Sequence, residues 1–187
     1  MNLLARFLIA LVLLFGLDVP PGKAELLESQ IKSAYVLNFV KFAEWPAGVG
    51  AADDKMTLCV VGSNVLGGEL SALGGRKAGN RELRVVQYAS EDLLNWQSNA
   101  SSELGSCQVV FIGESEQSRF VSIIKALGDS PALTISDIDD FAEKGGCIGL
   151  RYRENKIVFE VNLASTHKAQ LRLPAQLLNL ASYVFGR

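Results

Sequence analysis

The sequence predicts an α/β fold: a mostly parallel sheet with helices on both faces and a C-terminal antiparallel hairpin at one edge. Three observations carry that reading. Short runs rich in β-branched and apolar residues alternate with helix-like segments between Thr57 and Ser136, the spacing of units whose parallel strands are covered on both sides. The alternation then gives way to two runs, Ile148–Arg153 and Lys156–Asn162, separated only by Glu154-Asn155, a two-residue hairpin loop with Asn placed for positive φ. Finally, 187 residues, 49% hydrophobic and 20% charged, are enough for one full core and too few for two.

The first element is a helix running up to Trp45 and ended by Pro46. At about 100° per residue, Ile31, Ala34, Tyr35, Asn38, Phe42 and Trp45 share one face, flanked by Val36, Phe39 and Ala43. A helix this apolar is expected to be buried on more than one side. Asn38 falls within the apolar stripe and there needs hydrogen-bond partners. Asn38, Lys41 and Glu44 are read as tying the helix to neighbouring backbone.

Strands follow at Thr57–Gly62, Leu83–Tyr88, Val109–Ile112 and Ala132–Ser136, with helices at Leu66–Leu73, about Glu91–Trp96 and Gln117–Leu127 between them. In the last of these helices Phe120, Ile123, Ile124 and Leu127 fall on one face. After the hairpin, Pro174 is expected to start a second helical segment reaching Phe185, with Leu177, Leu180, Ala181 and Val184 as its stripe. No internal repeat or low-complexity segment interrupts the chain.

The net charge of −2 and the lack of a Lys/Arg cluster leave no electrostatic footprint for a polyanion, which argues against nucleic acid as a partner. Arg6 precedes an apolar run from Phe7 to Leu17, and Gly22-Lys23-Ala24 offers small residues at the −3 and −1 positions of a cut after Ala24. Residues 1–24 are therefore read as a signal peptide and 25–187 as a single domain. The run is shorter than the ~20 residues that span a bilayer, and no cysteine follows it to accept a lipid. A short uncleaved anchor or a buried helix is the competing reading.

Ala34-Tyr35-Val36-Leu37-Asn38-Phe39-Val40-Lys41-Phe42-Ala43-Glu44-Trp45-Pro46 resembles the opening motif of the YfiR/HmsC-like family of bacterial periplasmic proteins. Two later blocks resemble the same family: Ser106-Cys107-Gln108-Val109-Val110-Phe111-Ile112-Gly113, and a run from Leu133-Thr134-Ile135-Ser136-Asp137 through Phe141-Ala142-Glu143-Lys144-Gly145-Gly146-Cys147-Ile148-Gly149 to Phe159-Glu160-Val161-Asn162-Leu163. The resemblance implies a periplasmic inhibitor that binds the periplasmic domain of an inner-membrane diguanylate cyclase, lowering cyclic di-GMP signalling and restraining biofilm formation. It also implies, in some systems, an outer-membrane lipoprotein that sequesters the inhibitor. A homodimer is compatible with it, and no cofactor is implied.

Export changes what the three cysteines mean, because a pair can persist as a disulfide in an oxidising compartment. Cys59 lies in the apolar run Leu58-Cys59-Val60-Val61 and Cys107 begins the next buried strand; these two are expected to pair. The alternative is that both are small buried hydrophobes without a bond. Some relatives carry a second cysteine pair, for which this chain lacks the partner. Cys147 is then a packed strand residue rather than a reactive or intermolecular thiol. One histidine and three separated cysteines give no metal-ligand spacing.

No catalytic constellation is legible. Gly62-Ser63-Asn64-Val65-Leu66-Gly67-Gly68 follows a strand and opens a helix, but Asn64 stands where a dinucleotide fingerprint needs its middle glycine, so the turn is read as a packing device. His167 has no nucleophile-elbow serine or cysteine beside it and is read as solvated. Asp137, Asp139, Asp140 and Glu143 are read as capping a helix start. Glu160 alternates with Phe159 and Val161 and so is expected to face solvent or a partner. With Leu171, Leu173 and Leu178, apolar residues off the C-terminal stripe, it forms the expected partner-binding surface. The competing class is a small-ligand receptor with a pocket near Ser63, Asn64, Gly113 and Ser136 at the carboxyl ends of the strands.

Overall fold

The computed structural model describes residues 21–50, 54–63, 65–89 and 104–186. In chain order these form α1 (Pro21–Phe42), β1 (Lys55–Val61), α2 (Val65–Ser71), β2 (Lys77–Ala78), β3 (Arg81–Tyr88), β4 (Val109–Ile112), α3 (Phe120–Leu127), β5 (Leu133–Ser136), β6 (Ile148–Arg153), β7 (Lys156–Asn162), α4 (Leu163–Lys168), α5 (Ala175–Leu178) and β8 (Tyr183–Phe185). Residues 1–20 of the expected leader, the helix expected at Glu91–Trp96, and Asn64 lie outside the described residues, while residues 21–24 form the start of α1.

The strands make one eight-stranded sheet in the order β2-β3-β1-β4-β5-β6-β7-β8. Neighbours from β3 to β6 pair parallel, β6 and β7 pair antiparallel, and β2 joins β3 antiparallel. The hairpin turn falls where the sequence places it, with Glu154 at φ 49° and Asn155 at φ 60°. Positive φ at both central residues gives a turn whose twist matches that of the flanking strands.

Alternation along each strand divides the core in two. Leu58, Val60, Val109, Phe111, Leu133 and Ile135 face α1 and α2, while Cys59, Val61, Val110 and Ile112 face α3 and Phe141. Both faces are therefore covered, which is why the central strands are continuous apolar runs.

The first helix turns the opposite side of its circumference inward from the one expected. Ser29, Ser33, Val36, Leu37, Phe39, Val40 and Ala43 are buried, whereas Ile31, Ala34, Asn38 and Phe42 are exposed. Apolar and polar residues are spread around the whole circumference of this helix, so hydrophobic periodicity cannot choose between faces. Small Ser29 and Ser33 let the inner side sit close, their hydroxyls donating to Glu25 O and Gln30 O. Exposure removes the need for a hydrogen-bond partner at Asn38. Tyr35 ties the helix to distant backbone, its Oη donating to Ile157 O at 3.3 Å, and just past the helix end, which falls at Phe42 rather than Trp45, Trp45 Nε1 donates to Gln108 O at 3.2 Å. Glu44 exchanges both backbone bonds with Arg172.

The C-terminal segment also departs from expectation. Helix α5 ends at Leu178, and Tyr183–Phe185 forms β8, parallel to β7. Ser182 is the anchor, its N–H and hydroxyl both donating to Phe159 O. Aromatic and β-branched Tyr183, Val184 and Phe185 suit the added strand better than a continued helix.

Candidate functional site

The disulfide joins Cys59 to Cys107 with a Cα–Cα distance of 5.9 Å. Both side chains are buried, on the face of the sheet that α3 covers. It bonds neighbouring β1 to the entrance of β4. Cys147 is a free, buried thiol. Burial pushes its pKa up, partly opposed by hydrogen bonding with Thr134, so the unreactive thiol form dominates at neutral pH.

The four acidic residues expected to cap a helix instead sit in a run of turns between β5 and β6, and three of them make ion pairs with distant cations. Asp137 Oδ2 accepts from Lys32 Nζ of α1 at 2.9 Å, and Glu28 accepts from the same ammonium at 2.7 Å. Burial works against the Lys32 charge, but its hydrogen bond to Glu28 and the charge of Asp137 outweigh it and hold the ammonium above the usual lysine range. Arg151 of β6 pairs with Asp139 and with Asp140, the latter at 3.1 Å. The second carboxylate oxygen of Asp137 and the Nε of Arg151 are buried without a hydrogen-bond partner.

Glu160 belongs to this network rather than to the surface. It is 9% exposed, and its Oε1 lies 3.8 Å from Arg151 Nε and 3.6 Å from Arg153. The reason is topological: β7 is not an edge strand, since β8 pairs beyond it with Tyr183 opposite Glu160. On the other side Glu160 stands opposite Gly149, against which Ala142 and Phe141 pack.

Of the three leucines expected beside Glu160, Leu171 is buried at 1% exposure, and Leu173 and Leu178 are half-buried against the core. The exposed apolar side chains in this region are Leu180, 74% exposed, and Tyr183, 58% exposed. The Tyr183 ring meets that of Phe185 edge-on at 4.6 Å. Missing β8 in the sequence hid Tyr183.

The residues expected to form a ligand pocket are engaged by their neighbours. Ser136 Oγ donates to Ile112 O at 2.6 Å and accepts from the Ile138 N–H, and Gly113 N–H bonds Val61 O. Ser63 is exposed, its N–H donating to Ser115 Oγ. Gly62, at φ +87°, has Ser115 and Glu116 where a Cβ would stand, so this turn is closed by packing. One residue beyond Gly113 and Ser136, a cleft of about 380 Å³ opens between α1, the carboxyl ends of β4 and β5, and β6. Lys32, Glu114, Asp137, Asp139, Arg151 and Arg153 supply its charges. His167 is exposed in α4.

The model of the YfiR/HmsC-like family matches residues 29–182. The chain belongs to this family. Its members are periplasmic regulatory proteins rather than enzymes, acting at the level of diguanylate cyclase signalling. No curated protein matches the sequence. Solved structures similar in fold to this YfiR-like chain include a conserved domain protein from Vibrio cholerae O1 biovar El Tor, at 11% identity and a TM-score of 0.59, covering 81% of this chain and 59% of that one. An ABC domain from Streptococcus pneumonia, in complex with L-Trp, matches at 9% identity and a TM-score of 0.55, covering 80% and 59%. The YfiR-like chain thus spans under two thirds of either structure, and the likeness is one of fold. Among its described residues no helix is long and apolar enough to cross a membrane.

Proposed function

We propose that the chain is exported, loses residues 1–24, and inhibits an inner-membrane diguanylate cyclase by binding its periplasmic domain, so lowering cyclic di-GMP and biofilm formation. Membership of the YfiR/HmsC-like family is the observation that carries this reading. The Cys59–Cys107 bond supports the compartment, since such bonds persist where thiols are oxidised. Inhibition works as a population shift: the protein binds one arrangement of the cyclase module better than the other, and that difference in affinity holds the enzyme off.

The contact surface is the C-terminal one, with Leu173 and Leu178 half-buried and Leu180 and Tyr183 exposed. Leu171 and Glu160 support it from within, Leu171 as core and Glu160 through Arg153, which is 59% exposed. An outer-membrane lipoprotein competing for this surface is the release step. The test is cyclic di-GMP in cells carrying the membrane cyclase with wild-type protein or with Leu173→Ala, Leu178→Ala, Leu180→Glu or Tyr183→Glu. Loss of repression by folded variants supports the surface; full repression by all four rejects it.

A small-ligand receptor is the second reading, favoured by the cleft at the carboxyl ends of β4 and β5, where ligands of open α/β sheets bind.

A further inference from the structure

We infer that the outward face of α1 is a contact surface for a second copy of this chain, the two helices lying parallel about a twofold axis. The inference is independent of the C-terminal surface proposed for the cyclase.

Among the described residues eight large apolar side chains are exposed, and four of them, Leu26, Leu27, Ile31 and Phe42, belong to α1. Such a concentration on one element marks a contact surface. Leu27, Ile31, Ala34 and Asn38 are all exposed and follow one another at intervals of four, three and four residues, the repeat of a seam between two helices. All four lie beyond the proposed cleavage after Ala24, so export leaves the seam whole. In heptad terms Leu27 and Ala34 take d positions and Ile31 and Asn38 take a positions. A β-branched residue at a with Leu at d favours two parallel strands.

Asn38 selects the occupant. A purely apolar partner would take the amide out of water without a hydrogen bond, which costs free energy. A parallel second copy brings its own Asn38 to the same level, because a twofold axis along the seam sets each seam residue against itself. Each amide then has both a donor and an acceptor to offer the other. A single Asn at an a position is also what fixes the register of a two-stranded seam.

The flanks of the helix agree. Glu28 and Ile31 border a groove of about 370 Å³ whose far wall is formed by Tyr152, Asn155 and Lys156 of the hairpin. Leu26 projects from the opposite flank of α1. A twofold along the helices brings opposite flanks together, so Leu26 of each copy faces the groove of the other. Lys41, at the next d position, meets its own charge across the axis. It sits in the last turn of α1, where its flexible stem carries the ammonium out to water, at a cost to affinity.

Sedimentation velocity of the mature protein over a concentration series tests this, and a monomer–dimer equilibrium is expected. Ile31→Glu, a change at an exposed position, should weaken association by about tenfold or more, and Lys41→Leu should tighten it by a similar factor; circular dichroism checks the fold of both variants. Leu27→Cys, Ala34→Cys and Asn38→Cys, each alone, should give a covalent dimer under mild oxidation. A monomer at every concentration, or a dimer indifferent to Ile31→Glu, overturns the inference. Cross-linking by Ala34→Cys alone means antiparallel helices and overturns it as well. A wild-type protein that stays monomeric but binds membranes carrying the cyclase, and loses that binding in Ile31→Glu, assigns the face to the cyclase instead of a second copy.

Discussion

Lys32 of the first helix and Asp137 at the end of β5 meet through a 2.9 Å hydrogen bond between side chains that are 13% and 10% exposed. The pair joins segments 105 residues apart. Removing one partner of a largely buried pair strands the other, at a cost of about 3 kcal/mol. Lys32→Ala should lower stability by that order in urea titrations, and Lys32→Ala combined with Asp137→Ala by less than the sum of the two single changes. The pH dependence follows from the sign of the shift. A lysine whose folded pKa is raised contributes stability fully present below the ordinary value and lost as pH rises through the folded one. The Lys32 contribution should therefore persist through neutral pH and vanish in strongly alkaline buffer, measured by comparing wild type with Lys32→Met across pH.

The bond between Cys59 and Cys107, 48 residues apart, restricts the unfolded chain by about 4 kcal/mol on the loop-entropy model. Reduction, or Cys59→Ala with Cys107→Ala, should shift the urea midpoint down accordingly. Non-reducing mass spectrometry should find this pair two hydrogen atoms lighter than two free thiols.

Cys147 provides the internal control for that measurement. Its thiol is buried and held protonated at neutral pH. A maleimide reagent should leave the native oxidised protein unlabelled and add one label once urea opens the fold without reductant.

A Cβ added at Gly146 would collide with the Phe141 ring. Gly146→Ala should cost about 1–3 kcal/mol through overpacking. Phe141→Leu in the same chain should recover part of the loss, a coupling that a double-mutant cycle reads directly.

The face of α1 that packs inward is tested by contrast. Phe39 is fully buried and packs edge-on against Phe159 at 5.0 Å, whereas Phe42 is 54% exposed. Phe39→Ala should cost about 3–5 kcal/mol and Phe42→Ala well under 1.

What was legible in the sequence divides along physical lines. The strands around the hairpin and Val109–Ile112 lie where the sequence puts them, because short β-branched runs between strong turn residues leave little freedom. The disulfide pairing followed from two cysteines in adjacent buried runs. The burial of α1 was not legible, since a helix whose apolar and polar residues are mixed around its circumference carries no phase. Nor was the role of Asp137, Asp139 and Asp140, whose spacing fits a cap as well as it fits partners on other elements; Lys32 and Arg151 reveal themselves only once the chain is folded. Glu160 obeyed its alternation, yet the face it points to is lined by arginines and closed by a strand that the sequence concealed.

The cross-link between Cys59 and Cys107 has a consequence for where in the cell this protein can accumulate. A copy held back on the ribosome side of the membrane keeps both thiols reduced and forfeits a substantial part of its marginal stability. Such copies spend more time open and are preferred prey for housekeeping proteases. On the proposed export, the bond therefore favours the chains that have reached an oxidising compartment, where the fold keeps its full stability.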